Sequence, residues 1–181
     1  MSVILVDLDG VVVDWTRQFE HDLAQFFPHL EFEALEEFKT PTHLSLAHQN
    51  AINFVKFRQD FYWDMLPIPG AIEGVKELAR EHEVFFCSTP EPQNPTCASD
   101  KLDWVRNHFG EEWTHRVILT SDKTMVRGDI LIDDRPDVVG AAIPEWEHVL
   151  FTQPYNAKVL DGRRRLNSWS DAPLLFTEAT A

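Results

Sequence analysis

Residues 3–15 read VILVDLDGVVVDW, and this stretch decides how the rest of the chain is interpreted. Residues 3–6 are all apolar, as in a strand that is buried on both faces of a parallel sheet. Two carboxylates, Asp7 and Asp9, follow where this strand ends. Because strand side chains alternate between faces, Asp7 and Asp9 are expected to point the same way. Their like charges therefore require a cation close by.

Four further apolar runs are typical of buried strands. They cover residues 84–87, 117–119, 130–132 and 149–151. Between some of these runs, apolar residues recur at helical spacing, as in residues 69–79 and 102–110. Strands that alternate with helices predict an α/β fold with a doubly wound parallel sheet.

One stretch, residues 15–66, interrupts this alternation. Trp15 and Phe19 begin a helical pattern that Asp14 is predicted to cap, and a second helical segment covers about residues 44–61. The stretch is too long for a single crossover, so we predict a small helical insert after the first strand. The core is then formed by residues 1–14 and 67–181.

The composition excludes several classes of protein. Of 181 residues, 44% are hydrophobic and 25% charged, which is typical of a globular domain. The net charge of −14 argues against a nucleic-acid polymer as partner. The basic run Arg163-Arg164-Arg165 is too short for a binding patch and predicts a solvated turn.

Only two cysteines, Cys87 and Cys97, are present, which suggests a reducing compartment. The sequence shows no secretory leader and no apolar run near the ~18 residues of a membrane span. We therefore predict a cytoplasmic protein without a membrane partner.

Polar side chains follow four of the predicted strands. They are Asp7 and Asp9 after the first strand, Ser88 and Thr89 after the second, Lys123 after the third, and Asp133 and Asp134 after the fourth. In such sheets, ligands bind beyond the carboxyl ends of the strands, so these groups are expected to meet at one edge. Carboxylates suit Mg²⁺, whereas hydroxyl and ammonium groups suit a bound phosphate.

This set of groups has the chemistry of a phosphatase. A carboxylate beside the metal can attack phosphorus, and a second acid two residues on can protonate the leaving oxygen and later activate water. Each motif alone has another interpretation: Asp-x-Asp is common in loops, Ser88-Thr89-Pro90 can form a helix-capping turn, and Lys123 can be a solvated residue. Their combination, in this order, favours a single site.

The motifs Asp7-Leu8-Asp9-Gly10-Val11, Ser88-Thr89, Lys123 and Asp133-Asp134 resemble the four motifs of the haloacid dehalogenase superfamily. Longer blocks are similar to the 5′(3′)-deoxyribonucleotidases of that superfamily. These blocks are residues 67–71, 84–90, 119–124, 131–136, 146–152 and 163–171. The similarity covers nearly all of the core and fades between about residues 28 and 59.

The resemblance implies that Asp7 is the nucleophile and Asp9 the general acid and base. It also implies that Mg²⁺ is held by Asp7, by the backbone carbonyl of Asp9 and by one carboxylate of the acidic pair. We favour Asp134 as the direct ligand, with Asp133 in support.

For the substrate, the resemblance implies that Ser88, Thr89 and Lys123 bind the phosphate. The family usually has Thr-Ser where this chain has Ser88-Thr89, which could change contacts to the sugar. The insert corresponds to a helical cap that supplies a nucleoside pocket. Aromatic faces stack on bases, contributing about 1–3 kcal/mol each, although aromatic residues at helical spacing often belong to a core. The stacking candidates are Trp15, Phe38 and the cluster at residues 57–63.

The expected function is thus Mg²⁺-dependent hydrolysis of nucleoside monophosphates, with 5′(3′)-deoxyribonucleotides favoured, through an aspartyl-phosphate. The sequence leaves the oligomeric state open, although the resemblance suggests a homodimer. Another small phosphate ester, such as a sugar phosphate, or a nucleic-acid 3′ end remains an alternative substrate. A phosphoacceptor receiver module is disfavoured, because it carries its acidic pair at the first strand. A cysteine phosphatase built on Cys87 is disfavoured because position 93, where a phosphate-binding arginine is needed, is Gln.

Overall fold

A computed structural model of the protein describes residues 1–32 and 44–176. Its centre is a six-stranded sheet in the order β3-β2-β1-β4-β5-β6, in which every pair of neighbours is parallel. The strands are β1 (Val3–Val6), β2 (Glu83–Ser88), β3 (Val117–Leu119), β4 (Ile130–Asp133), β5 (Glu147–Phe151) and β6 (Arg165–Leu166). The helices are α1 (Trp15–Phe26), α2 (Leu46–Phe57), α3 (Ala71–Leu78), α4 (Cys97–Phe109) and α5 (Ala172–Phe176). The predicted parallel α/β sheet is confirmed.

The central strand β1 is apolar throughout because it is buried on both faces. Ile4 and Val6 belong to the larger core cluster, which also contains buried residues of α3 and α4. Leu5 points to the other face, where it packs with Leu131 and Trp146 in a smaller cluster. Because β1 lies between β2 and β4, the residues that follow these strands meet at one edge.

Local signals in the sequence fix several ends of these elements. Asp14 caps α1 as predicted, since its carboxylate accepts a hydrogen bond from the backbone N–H of Arg17 at 3.2 Å. Gly110 follows the last residue of α4 with φ of 112°, a conformation that glycine adopts without a steric penalty. None of the helices in the described ranges is long and apolar enough to cross a membrane.

The prediction of a solvated turn at Arg163–Arg165 was wrong. Arg165 and Leu166 form the edge strand β6, which pairs with the end of β5. The guanidinium of Arg165 donates to the side-chain oxygen of Asn156 at 2.7 Å, and that of Arg164 pairs with Glu147 at 2.6 Å. A strand of two residues with only one apolar side chain leaves no hydrophobic pattern to recognise.

Along the chain, helices α1 and α2 come between β1 and α3, and the two helices contact each other. A buried carboxylate, Asp22 of α1, joins them by accepting from the guanidinium of Arg58, which follows α2. Gln18 donates to the same carboxylate at 3.0 Å. The guanidinium also lies over the rings of Phe26 and Phe61, so the ion pair is flanked by apolar surface.

Replacing Arg58 with Met is expected to lower the free energy of unfolding by about 3 kcal/mol, because the buried Asp22 charge loses its counter-ion. Urea unfolding measures this loss. The double variant Asp22→Leu/Arg58→Met removes both charges and is expected to recover most of the stability. A single variant that unfolds at the wild-type urea concentration would show that the pair contributes nothing.

Candidate active site

Lys123 lies between two of the predicted carboxylates at the carboxyl edge of the sheet. Its Nζ is 2.9 Å from Oδ2 of Asp7 and 2.5 Å from Oδ2 of Asp133. All three side chains are buried, so Lys123 is not a solvated surface residue. Asp7 Oδ1 accepts from the N–H of Leu8 at 2.8 Å, and Asp133 Oδ1 accepts from the N–H of Arg135 at 2.8 Å.

These contacts determine the charge of Asp7. Burial alone would raise the pKa of Asp7, but the positive charges of Lys123 and Lys101, together with hydrogen bonds from Lys123 and Ser88, hold it below its ordinary value. Burial lowers the pKa of Lys123, and the charges of Asp7 and Asp133 outweigh this effect and raise it. Asp7 is therefore a carboxylate at neutral pH, as a nucleophile must be.

Asp134 completes an acidic cluster. Asp7, Asp133 and Asp134 each offer a carboxylate oxygen, and these oxygens lie within 4.8 Å of one another. Oδ2 of Asp134 accepts a hydrogen bond from the phenol of Tyr155. Its Oδ1 is buried and has no hydrogen-bond partner among the described residues. Burial and the charges of Asp133 and Asp7 raise the pKa of Asp134 well above its usual value.

The backbone at Gly10 makes room for this cluster. Gly10 has φ of 73°, and a Cβ at this position would lie 2.6 Å from Oδ2 of Asp134 and 2.7 Å from the Tyr155 hydroxyl. Its carbonyl accepts a hydrogen bond from the Gln153 amide at 2.7 Å. Glycine is thus required here by both conformation and space.

Asp9 and Ser88 share a second lysine, Lys101, which sequence reasoning missed. Its Nζ donates to Oδ2 of Asp9 at 2.8 Å, to Oγ of Ser88 at 2.9 Å and to the carbonyl of Thr89 at 2.9 Å. Lys101 is buried on α4. The available signal was its position: four residues after Cys97, it interrupts the apolar face of a helix with a charge.

The environment of Asp9 differs from that of Asp7. Burial raises the pKa of Asp9, the charge of Lys101 opposes this effect, and the charge of Asp7 adds to it, so the net shift is upward. The sequence led us to expect one cation near these two carboxylates. The structure has two, because Lys123 pairs with Asp7 and Lys101 pairs with Asp9. The two acids differ in the direction of their pKa shifts, as a nucleophile and a proton donor would.

Most of the predicted site residues line one cleft, whereas the buried Lys123 and Asp133 lie behind the carboxylates and are not part of its wall. Asp7, Asp9, Ser88, Thr89 and Asp134 lie on its wall. The wall also contains Trp15 and Phe19 of α1, Ile52 and Lys56 of α2, Tyr62, which follows α2, and Glu91, which follows β2. Phe38, the other predicted stacking residue, lies outside the described residues.

Trp15 occupies a position suited to the pocket that the sequence predicted. Its ring stacks on Phe19 with centroids 4.6 Å apart and meets Phe61 edge-on at 6.0 Å. It therefore belongs both to the cleft wall and to the packing of the helices. Cys87, in contrast, is buried, and burial raises its pKa to about 12, so it is not a nucleophile at neutral pH.

Comparisons with known proteins agree with this geometry. A family model described as "5' nucleotidase, deoxy (Pyrimidine), cytosolic type C protein" matches residues 1–181. The mitochondrial 5′(3′)-deoxyribonucleotidase of Mus musculus is 38% identical over 93% of this chain and 81% of its own length. The cytosolic-type 5′(3′)-deoxyribonucleotidase of Homo sapiens is 36% identical over 93% of this chain and 89% of its own.

Solved structures share the fold at lower identity. A haloacid dehalogenase-like hydrolase from Streptococcus pneumoniae superimposes with a TM-score of 0.62 at 14% identity, over 98% of this chain and 99% of its own. A phosphate complex of CbbY from Rhodobacter sphaeroides gives 0.53 at 14% identity, over 93% and 95%. The chain belongs to the 5′(3′)-deoxyribonucleotidase family of hydrolases with the haloacid dehalogenase-like fold.

Proposed function

We propose that this protein hydrolyses the phosphate ester of deoxyribonucleoside monophosphates, with Mg²⁺ bound and through an aspartyl-phosphate on Asp7. The observation that carries this proposal is the pairing of Asp7 with Lys123 beside Asp133 and Asp134, at the base of a cleft with aromatic walls. Relatives of this chain are named for the same substrates.

The residues at the acidic cluster fit a magnesium ion. Both oxygens of Asp133 are used by Lys123 and Arg135, whereas Oδ1 of Asp134 is buried without a partner among the described residues. This supports Asp134 as the direct ligand and Asp133 as the residue that orients Lys123. Asp7 and the carbonyl of Asp9 would be the other protein ligands. When bound, Mg²⁺ would offset the charge of the phosphate and of Asp7.

The phosphate is expected to lie between Asp7 and the groups after β2 and β3. Ser88, Thr89 and Lys123 would contact its oxygens, and the ammonium of Lys123 would stabilise negative charge in the transition state. The ammonium of Lys101 is already bound to Asp9, Ser88 and Thr89. It therefore fixes the proton donor relative to the phosphate site.

Asp7 and Asp9 then have different roles in the two steps of the reaction. In the first, an oxygen of Asp7 forms a bond to phosphorus while the ester bond breaks, and Asp9 gives its proton to the departing alkoxide. In the second, the Asp9 carboxylate takes a proton from water, whose oxygen attacks phosphorus and releases inorganic phosphate and the Asp7 carboxylate. The raised pKa of Asp9 is consistent with its starting as the acid.

The nucleoside would lie against the helical walls of the cleft. We propose that residues 15–66 act as a cap over a core of residues 1–14 and 67–181, with Trp15 stacking on the base. Trp15 and Phe19 of α1 and Ile52 of α2 all line the cleft, which supports this arrangement. The role of Phe38 stays a prediction. A homodimer and a cytoplasmic location are also proposed, the latter because both cysteines are free thiols.

A panel of substrates tests the function. We expect phosphate release from 5′- and 3′-deoxyribonucleoside monophosphates to exceed that from sugar phosphates, because only a nucleotide carries a base that can stack on the aromatic wall of the cleft. Addition of a chelator should stop the reaction, and added Mg²⁺ should restore it. Sugar phosphates turned over faster than every nucleotide would refute the substrate class, and activity that persists in chelator would refute the metal.

A further inference from the structure

Tyr155 lines the cleft beside Asp134, and the proposed function assigns it no role. It lies between β5 and β6, in a segment that consists of Gln153 and a short helical turn, Pro154–Asn156. Three side chains of this segment contact Gly10 or Asp134. Gln153 donates to the carbonyl of Gly10 at 2.7 Å, Tyr155 donates to Oδ2 of Asp134, and the Asn156 amide donates to the carbonyl of Asp134 at 2.7 Å. Asn156 also donates to the carbonyl of Phe151 at 2.8 Å, which ties the segment to the end of β5.

These contacts fix both the backbone and the carboxylate of Asp134. Oδ2 accepts the hydrogen bond of the phenol, whereas Oδ1 is buried and has no partner among the described residues, so Oδ1 is the oxygen that is unshared and available to a cation. The bare Cα of Gly10 leaves the space that the Tyr155–Asp134 pair occupies. Asp134 therefore presents one oxygen that is unshared and one that already accepts a hydrogen bond.

We propose that Tyr155 is a positioning residue that makes Asp134 a single-oxygen ligand and so favours Mg²⁺ over Ca²⁺. This inference rests on the proposed function, since it requires Asp134 to bind the metal. Mg²⁺ demands near-ideal octahedral geometry with few protein ligands, whereas Ca²⁺ accepts six to eight oxygens and often takes both oxygens of a carboxylate. A phenol that donates to Oδ2 competes with Ca²⁺ for the second oxygen of Asp134 and fixes the orientation of the carboxylate.

The variant Tyr155→Phe removes one oxygen atom and leaves the ring in place. Mn²⁺ binding without substrate, followed by electron paramagnetic resonance, reports metal affinity independently of turnover, and Mg²⁺ and Ca²⁺ are measured as competitors. Loss of a hydrogen bond to a ligating carboxylate typically costs about 10–100-fold in metal affinity, and we expect a loss of this size for Mg²⁺. The loss for Ca²⁺ should be smaller, so that the ratio of the Mg²⁺ Kd to the Ca²⁺ Kd rises about tenfold.

The change in this ratio separates positioning from a general structural role, because a loosened site would weaken both ions alike. Tyr62→Phe is the matched control, since it removes the hydroxyl of the only other tyrosine in the sequence. Tyr62 lines the same cleft, but its ring lies near Lys101 rather than Asp134. We expect it to leave the affinities for Mn²⁺, Mg²⁺ and Ca²⁺ unchanged.

A second measurement does not depend on the folding of Tyr155→Phe. In the Tyr62→Phe protein labelled with fluorotyrosine, Tyr155 gives the single fluorine resonance, and addition of Mg²⁺ should shift it. Unchanged metal affinities in Tyr155→Phe, or an unshifted resonance when the protein binds Mg²⁺, would overturn the role of Tyr155 alone. Wild-type protein that binds no Mn²⁺ would instead overturn the metal site itself, and with it both proposals.

Discussion

Replacing Asp7 with Asn is expected to lower kcat for a deoxyribonucleotide by at least about 10³-fold, the scale of loss when a nucleophile is removed. The amide has nearly the same shape as the carboxylate but cannot form the bond to phosphorus. The variant is expected to fold, because Lys123 keeps Asp133 as a partner at 2.5 Å. Loss of a buried negative charge next to Asp133 and Asp134 also relieves like-charge repulsion.

Two measurements separate loss of the nucleophile from loss of the fold. Urea unfolding should show a cooperative transition like that of the wild type, which verifies that the variant is folded under the conditions of the assay. Acid quenching during turnover of a substrate labelled in its phosphate should leave label on wild-type protein and none on Asp7→Asn.

The third carboxylate of the opening stretch, Asp14, supplies the matched control for this experiment. Its side chain caps α1, and Asn caps a helix as well as Asp does. Asp14→Asn should therefore keep kcat within about twofold, as is usual for a surface change away from the site. Wild-type turnover or labelling in Asp7→Asn would show that the nucleophile had been wrongly assigned.

The sequence predicted those parts of the site that follow the strands directly. Asp7, Ser88 and Asp133 come at or just after the ends of buried strands, and parallel pairing alone brings them to one edge. Short apolar runs in the sequence show where the strands are. Side chains that directly follow a strand could therefore be assigned to the site from the sequence. Lys123 follows from the same reasoning, although its burial between two acids could not.

The groups that sequence reasoning missed reach the site by other routes. Lys101 projects from a helix face, and its contact with Asp9 spans 92 positions of the chain. Tyr155 belongs to a short turn whose position depends on the pairing of β5 with β6. That edge strand carries two residues, one of them Arg165, and shows no apolar pattern. Contacts between residues so far apart in the sequence depend on how the helices and strands pack, and no local sequence pattern predicts them.

The second large effect is expected at Asp9, where replacement by Asn should lower kcat for a nucleotide by about 10²–10⁴-fold. The alkoxide of a sugar is a poor leaving group and needs a proton as the ester bond breaks. Lys101 holds the Asp9 carboxylate at 2.8 Å, so the group that donates this proton is fixed in place. An amide in the same position keeps its carbonyl oxygen against Lys101 but has no proton of suitable acidity to give.

An aryl phosphate distinguishes this role from simple damage to the site. Its phenolate leaves without protonation, so the first step should survive in Asp9→Asn while the second, which needs Asp9 as a base towards water, stays slow. Rapid mixing should therefore show a burst of one phenolate per active site followed by slow turnover. If kcat falls equally for the nucleotide and the aryl phosphate and no burst is seen, Asp9 neither protonates the leaving group nor takes the proton of water. A burst that disappears in Asp7→Asn would show that the accumulating species is the phosphoenzyme, and would place the two acids of one short stretch in successive steps.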